Sequence, residues 1–211
     1  MRKHIEYLKA QDEYTQIVGQ TYFIMKKYNY LKTPIETKRL ILVKPSLTYS
    51  KRMLEIWKNP KMTKFDEVHK LTIPEAIKKM KERIKRQGKT QISFYALLKD
   101  RKYLIGSAGL NISEHNNSAE LGYGIDVKYW GKGYCTELVK AVLDFTFTNT
   151  DLHRIWATPA VENKASCIVL EKCGFRKEAI LRDSAYYYGK YYNEVYYSIL
   201  KEEYLKKKGK H

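Results

Sequence analysis

Cysteine is scarce in this chain: Cys135, Cys167 and Cys173 are the only three in 211 residues. An odd number with no CxxC pair argues against a disulfide scaffold and against a structural zinc site, so no metal is expected. Glycine and proline number 11 and 5, too few for a collagen-like or low-complexity chain. No apolar run approaches the length of a membrane span, so no membrane partner is expected. The opening MRKHIEYLKAQDEYTQ mixes both charge signs and holds no uninterrupted apolar segment, unlike a secretory signal. A reducing cytoplasm is the expected compartment. Acidic residues are also in deficit, 23 against 40 Lys and Arg, which leaves a net charge of +17. Such a field favours anionic partners, from nucleic acid to a phosphorylated cofactor. The basic residues are scattered, and no helix-turn-helix, zinc-finger or RNP-type signature accompanies them, so no specific nucleic-acid partner is expected.

What is present is enough apolar residue, 44%, to bury the core of one domain with an appendage. Residues 1–33 place Ile5, Leu8, Ile17, Val18, Thr21, Ile24 and Met25 at spacings of three, four and seven, an amphipathic helix. Thr33-Pro34 ends it, because the residue before proline is biased away from helix. The chain divides into an N-terminal helical extension (1–35), a main domain (36–202) and a basic tail (203–211). Within the main domain, 39–43 predicts a strand and 48–58 and 74–87 predict helices. Thr72, Pro74 and Glu75 mark the start of the second. Strands over 92–98, 103–112 and 119–125 form an antiparallel meander. A helix over 136–147, a strand over 154–158, a helix over 164–172 and strands over 175–181 and 193–200 follow. That order predicts an α+β fold with a mostly antiparallel sheet flanked by helices.

The chemistry concentrates in Tyr129-Trp130-Gly131-Lys132-Gly133-Tyr134-Cys135-Thr136-Glu137, between a strand and a helix. Two glycines one residue apart let successive N–H groups converge and let a ligand approach without a Cβ in its way. The helix behind them adds unpaired donors and a positive dipole end. The segment suits an anion, best a diphosphate. It lacks the third glycine of the dinucleotide pattern, with Thr136 in that place, and the GK[ST] ending of triphosphate cradles.

ELGYGIDVKYWGKGYCTELVKAVLDFTF (120–147) followed by HRIWATPAVENKASCIVLEKCGFRKEAILR (153–182) resembles the GNAT acyltransferases. Within them it is similar to the branch of ribosomal-protein N-terminal acetyltransferases (RimJ/RimL type) and their polyamine-acetylating cousins. ETKRLILVKP (36–45) and the closing hairpin fit that branch, so the resemblance covers about 36–202. It implies the GNAT fold, acetyl-CoA as donor and an amine as acceptor, first a protein N-terminus, with a small amine, a polyamine or an aminoglycoside, as the alternative; a non-catalytic acyl-CoA-binding protein is a further alternative. A homodimer is compatible with it. The amides of Gly131, Lys132, Gly133, Tyr134 and Cys135 would hold the CoA diphosphate, and Asn163 would contact the CoA arm. Trp130 stands where most of the superfamily has Gln or Arg, and core packing behind the loop is expected of it. Cys135, without a paired His, is expected to be structural.

The strand before the cradle should splay from its neighbour and leave a wedge for the thioester. Backbone groups of Gly124, Ile125 and Asp126 would pair with the pantetheine amides along it. Gly122 and Gly124 in one strand point to a bulge. Glu120 lies on the face opposite Ala119, Leu121, Tyr123 and Ile125, with the glycines leaving room beside it. It is the candidate base, directly or through water, against the alternative of a surface glutamate. Asn163, Ser166 and Leu170 share one helix face. Many members of the family carry a thiolate-protonating tyrosine where this chain has Leu170. Ser166 is its expected replacement, against a helix serine bonded back to a carbonyl. His153 is expected to be structural. Nineteen tyrosines, clustered in 183–197, offer either a cation-receiving aromatic surface or packing, and packing accounts better for most of them.

Overall fold

The computed structural model describes residues 34–66 and 71–209, so the helix expected over 1–33 lies outside the described residues. Eight strands form one sheet in the order β1-β2-β3-β4-β5-β6-β8-β7. They are β1 (Ile35–Glu36), β2 (Leu40–Val43), β3 (Gln91–Leu98), β4 (Leu104–Ser113), β5 (Ser118–Ile125), β6 (Arg154–Ala157), β7 (Arg176–Tyr187) and β8 (Lys190–Leu200). Every neighbouring pair is antiparallel except β5 with β6, which is parallel. The predicted meander is β3-β4-β5, and the α+β fold with a mostly antiparallel sheet flanked by helices, read from the sequence, is the one observed.

Helices α1 (Ser50–Trp57) and α2 (Ile73–Arg86) cover one face of the sheet, burying Met53, Ile56 and Met80 against Tyr95, Leu97 and Leu104. On the other face α3 (Tyr134–Asn149) and α4 (Lys164–Lys172) bury the larger core, with Leu138, Val142, Phe147 and Leu170 over Leu40, Ile92, Phe94 and Ile155. Burial on both faces explains why β3 reads QISFYALL and not as a strict alternation. The start of α2 is a full capping box. Thr72 accepts from the Glu75 N–H, and Glu75 accepts from the Thr72 N–H at 2.8 Å.

Two expectations change. Residues 203–208, taken from the sequence as a basic tail, belong to a last helix, α5 (Lys201–Lys208). Its first turn carries Glu202 and Glu203 and its last turn three lysines, which suits the helix dipole, and Tyr204 packs on Phe147 with ring centroids 5.3 Å apart. It buries none of its own residues, so no apolar period announced it. Second, there is no bulge at Gly122 and Gly124: the β4–β5 register runs unbroken from Gly106–Ile125 to Ser113–Ser118. Close approach is the reason for Gly124, where a Cβ would lie 2.7 Å from the Met62 methyl. At Gly122 a Cβ would meet nothing within 4 Å, because the residue faces open space.

Candidate active site

The parallel β5–β6 pairing ends at Glu120 and Trp156, yet β5 runs on to Ile125 with only β4 beside it. The sheet therefore opens into the expected wedge from Glu120 onward. The N–H of Asp126 donates to the Ile105 carbonyl at 2.7 Å, which sets the ladder phase. Antiparallel alternation then bonds Gly124 back to β4, and leaves the backbone groups of Tyr123 and Ile125 aimed across the wedge. Asp126 has neither backbone group spare, since its carbonyl accepts from the Tyr129 N–H at 2.8 Å. Of the three residues expected to offer main-chain bonds there, Ile125 has the right phase, and Tyr123 is the one the sequence reading passed over. The alternation was legible in the sequence, but its phase depends on β4.

Asp126 does a different job. It is buried, caps the turn Val127–Tyr129 by accepting from the Lys128 N–H at 3.1 Å, and pairs with Arg52 of α1. Arg52 also donates to the Leu104 carbonyl and lies over the Tyr103 ring. Burial opposes the Arg52 charge, but its bonds to Asp126 and Glu55 outweigh this and raise its pKa.

Beyond that turn the chain bends through Gly131 and Gly133, at φ 72° and 78°, the left-handed region that glycine enters without strain. Gly133 is the N-cap of α3 and has no side chain to cap with. Among the described residues, nothing accepts from the N–H groups of Gly131, Lys132, Gly133, Tyr134 and Cys135. Five converging, unpaired amides at a helix N-terminus form an anion nest. The bend is held from below by Arg39, which donates through Nη1 to the Lys132 carbonyl at 2.8 Å and through Nε to Glu137 at 2.7 Å. Glu137 accepts as well from the Thr37 hydroxyl at 2.6 Å and the Arg39 N–H at 2.8 Å. Burial raises the Glu137 pKa, but these three bonds and the Arg39 charge prevail and hold it below the usual carboxylate range. Nothing local in the sequence marked Arg39, which lies 98 residues from its partner.

Trp130 is not core. It is 48% exposed, and its indole N–H donates to the Ile125 carbonyl at 2.6 Å, tying the bend to the end of β5. Cys135 carries no activated thiol, because burial pushes its pKa up to about 12. His153 is bonded through its backbone, its N–H to the Asn117 carbonyl and its own carbonyl to the Lys201 N–H.

Across the wedge, Asn163 caps α4 by accepting from the Ser166 N–H at 3.2 Å. The Ser166 hydroxyl does not bond back to its own helix. It lies 2.7 Å from the Tyr123 hydroxyl, which also donates to the Ser166 carbonyl at 3.1 Å. Burial pushes the Tyr123 pKa up, so the phenol stays protonated.

A cavity of about 690 Å³ opens on the α1–α2 side of the sheet. Glu120, Gly122, Tyr123, Gly124 and Ser166 all line it, so the candidate base and the Ser166 pair share one space. The 183–197 tyrosines enclose it in part. The Tyr188 hydroxyl donates to the Thr63 carbonyl at 2.8 Å, Tyr192 meets Phe65 edge-on, and Tyr187 is in the wall. Tyr186 and Tyr191 remain exposed. Among the described residues no group of His, Cys, Asp and Glu is placed to hold a metal ion, and no helix is long and apolar enough to cross a membrane.

A split sheet with an amide nest at one end of the split and a carboxylate-bearing cavity at the other is the anatomy of an acyl-CoA-dependent acyltransferase. Comparison with known proteins makes this specific. The model of the acetyltransferase (GNAT) domain matches residues 39–176, and the chain belongs to this family of acetyl-CoA-dependent N-acetyltransferases. It is 32% identical to an uncharacterized N-acetyltransferase, p20, of Bacillus licheniformis, over 80% of this chain and 96% of that one. A putative ribosomal N-acetyltransferase, YdaF, of Bacillus subtilis is 37% identical over 44% of this chain and 51% of its own, consistent with the RimJ/RimL-like branch. Among solved structures, spermidine N-acetyltransferase from Vibrio cholerae, in complex with CoA and spermine, superposes with a TM-score of 0.72 at 26% identity, covering 80% of this chain and 99% of that one.

Proposed function

We propose that the protein moves acetyl from acetyl-CoA to a protein N-terminal amine by direct attack on the thioester. The observation that carries this reading is the continuity of the site. Five unpaired amides follow in the chain from the open end of β5, and Glu120, Gly122, Tyr123 and Gly124 of the same strand line the cavity. The amides of Gly131, Lys132, Gly133, Tyr134 and Cys135 bind the CoA diphosphate, and Asn163 contacts the CoA arm. The free backbone groups of Tyr123 and the N–H of Ile125 bond the pantetheine, laying it along β5 as an added strand.

Glu120 takes the proton from the entering ammonium, directly or through water, and the nitrogen then attacks the thioester carbon. As the tetrahedral intermediate collapses, the C–S bond breaks and the nitrogen loses a second proton. The thiolate gains one from the Ser166 hydroxyl, which Tyr123 holds in position; the second proton of the nitrogen restores that hydroxyl through water, and Glu120 releases the first to solvent. A small amine such as a polyamine is the alternative acceptor, and similarity to the spermidine enzyme from Vibrio cholerae favours it.

The test is thiol release from acetyl-CoA by the purified protein against a panel of peptides and small amines. Glu120→Gln should lower kcat by about 10²-fold or more with acetyl-CoA affinity unchanged. Undiminished activity of that variant across pH would remove Glu120 from the reaction.

A further inference from the structure

The floor of the acceptor cavity carries a polar row of which the reaction as described uses only Glu120. Gln91 pairs with Asn111 across β3–β4, and Asn111 with Glu120 across β4–β5, so the three side chains stand side by side on the cavity face. Gln91 is only 5% exposed and donates to Asn111 Oδ1 at 3.2 Å. Its own Oε1 is buried with no partner among the described residues. Two strand spacings, about 10 Å, separate Gln91 from Glu120.

Past Gln91 the wall belongs to α2, which presents Lys79 and Arg83 one turn apart on one face. Arg83 makes no hydrogen bond and no ion pair among the described residues, although it lines the cavity and is half-buried. Burial weighs against its charge, with Tyr95 and Asp66 only partly offsetting this. A guanidinium cannot shed its proton to escape. Lys61, Lys64 and Lys164 add three further positive charges to the lining. The carboxylates there are Asp66, Glu120 and Glu162, so cations outnumber anions five to three. A polycation with one amine at Glu120 would push its other ammonium groups toward Lys79 and Arg83. An acceptor that brings an anion would satisfy them.

We propose that the acceptor is a peptide N-terminus with an aspartate or glutamate as its second or third residue. The α-amine sits at Glu120, the chain runs over Gln91 and Asn111, and the acidic side chain pairs with Arg83. The span suits an extended chain, which advances about 3.4 Å per residue. The inference rests on the N-terminal acetyltransferase reading above and names its substrate class.

The experiment uses the full chain, acetyl-CoA and eight-residue peptides that begin with serine. They differ only by Asp, Asn or Lys at position two or three, with spermidine as a further acceptor. Thiol release should rank Asp above Asn above Lys, with about a tenfold or greater gap in kcat/KM between Asp and Asn, mostly in KM. Arg83→Gln should erase the gap while still acetylating the Asn peptide, and Arg83→Glu should favour the Lys peptide. Thermal stabilisation by acetyl-CoA should be retained in both variants. Peptides acetylated without regard to charge, or a preference untouched by the Arg83 variants, would overturn the inference alone. Turnover of spermidine with none of the peptides accepted would overturn the N-terminal reading and the inference together. The wild-type ranking decides the matter even if neither variant folds.

Discussion

Glu137 stands in the first turn of the helix that ends in the anion nest, but its carboxylate turns away from the nest toward Thr37 and Arg39. Two consequences follow from the lowered pKa. A depressed carboxylate contributes stability at pH values above its unfolded pKa, and this is lost as pH falls through the folded value. The melting temperature of the wild-type protein should therefore exceed that of Glu137→Gln at neutral pH, with the gap closing on acidification below the ordinary carboxylate range. A gap that persists unchanged at low pH would mean that Glu137 matters by shape and not by charge. Because the same carboxylate holds the guanidinium that grips the Lys132 carbonyl, the variant should also bind acetyl-CoA more weakly.

β5 serves two neighbours with its two faces and two edges. Ala119, Leu121 and Ile125 anchor it in the larger core, while Glu120, Gly122 and Gly124 face the cavity. Gly122 is the sensitive point: its backbone is ordinary strand and a side chain there meets only open space. Gly122→Val should fold and should still be stabilised by acetyl-CoA, but should lose acceptor turnover because the new side chain fills the cavity. Gly133→Asp should do the reverse, losing acetyl-CoA binding. It forces a side chain onto a left-handed position and sets a carboxylate among amides meant for phosphate. Calorimetry with acetyl-CoA on both variants separates the two ends of the site. Equal loss of acetyl-CoA binding in both would contradict this division.

Over the whole molecule the charge of +17 is unevenly useful. Arg39 and Lys132 stand at the nest, where their charge would draw in a strongly anionic donor. Raising ionic strength from roughly 0.05 to 0.5 M, which shortens screening to a few ångströms, should raise KM for acetyl-CoA several-fold with little change in kcat. A KM indifferent to salt would assign the charge no part in donor capture.

Much of this was legible in the sequence because it is local. The GKG bend needs only its own glycines and the helix behind them, the capping box needs only Thr72 and Glu75, and two-residue alternation put Glu120 on the opposite face from Leu121. The element order carried the α+β fold for the same reason, since most segments, α5 excepted, announce themselves through their own composition and periodicity. What the sequence could not decide was set by partners far along the chain. The phase of the β5 ladder depends on Ile105, the Tyr123 hydroxyl meets Ser166 only when α4 packs beside the wedge, and Arg39 finds Glu137 across 98 residues. Trp130 came out exposed because its N–H had a nearer use at Ile125 than burial offered. Side-chain chemistry and backbone preference are written residue by residue, whereas the meeting of two distant groups exists only after the sheet has closed around them.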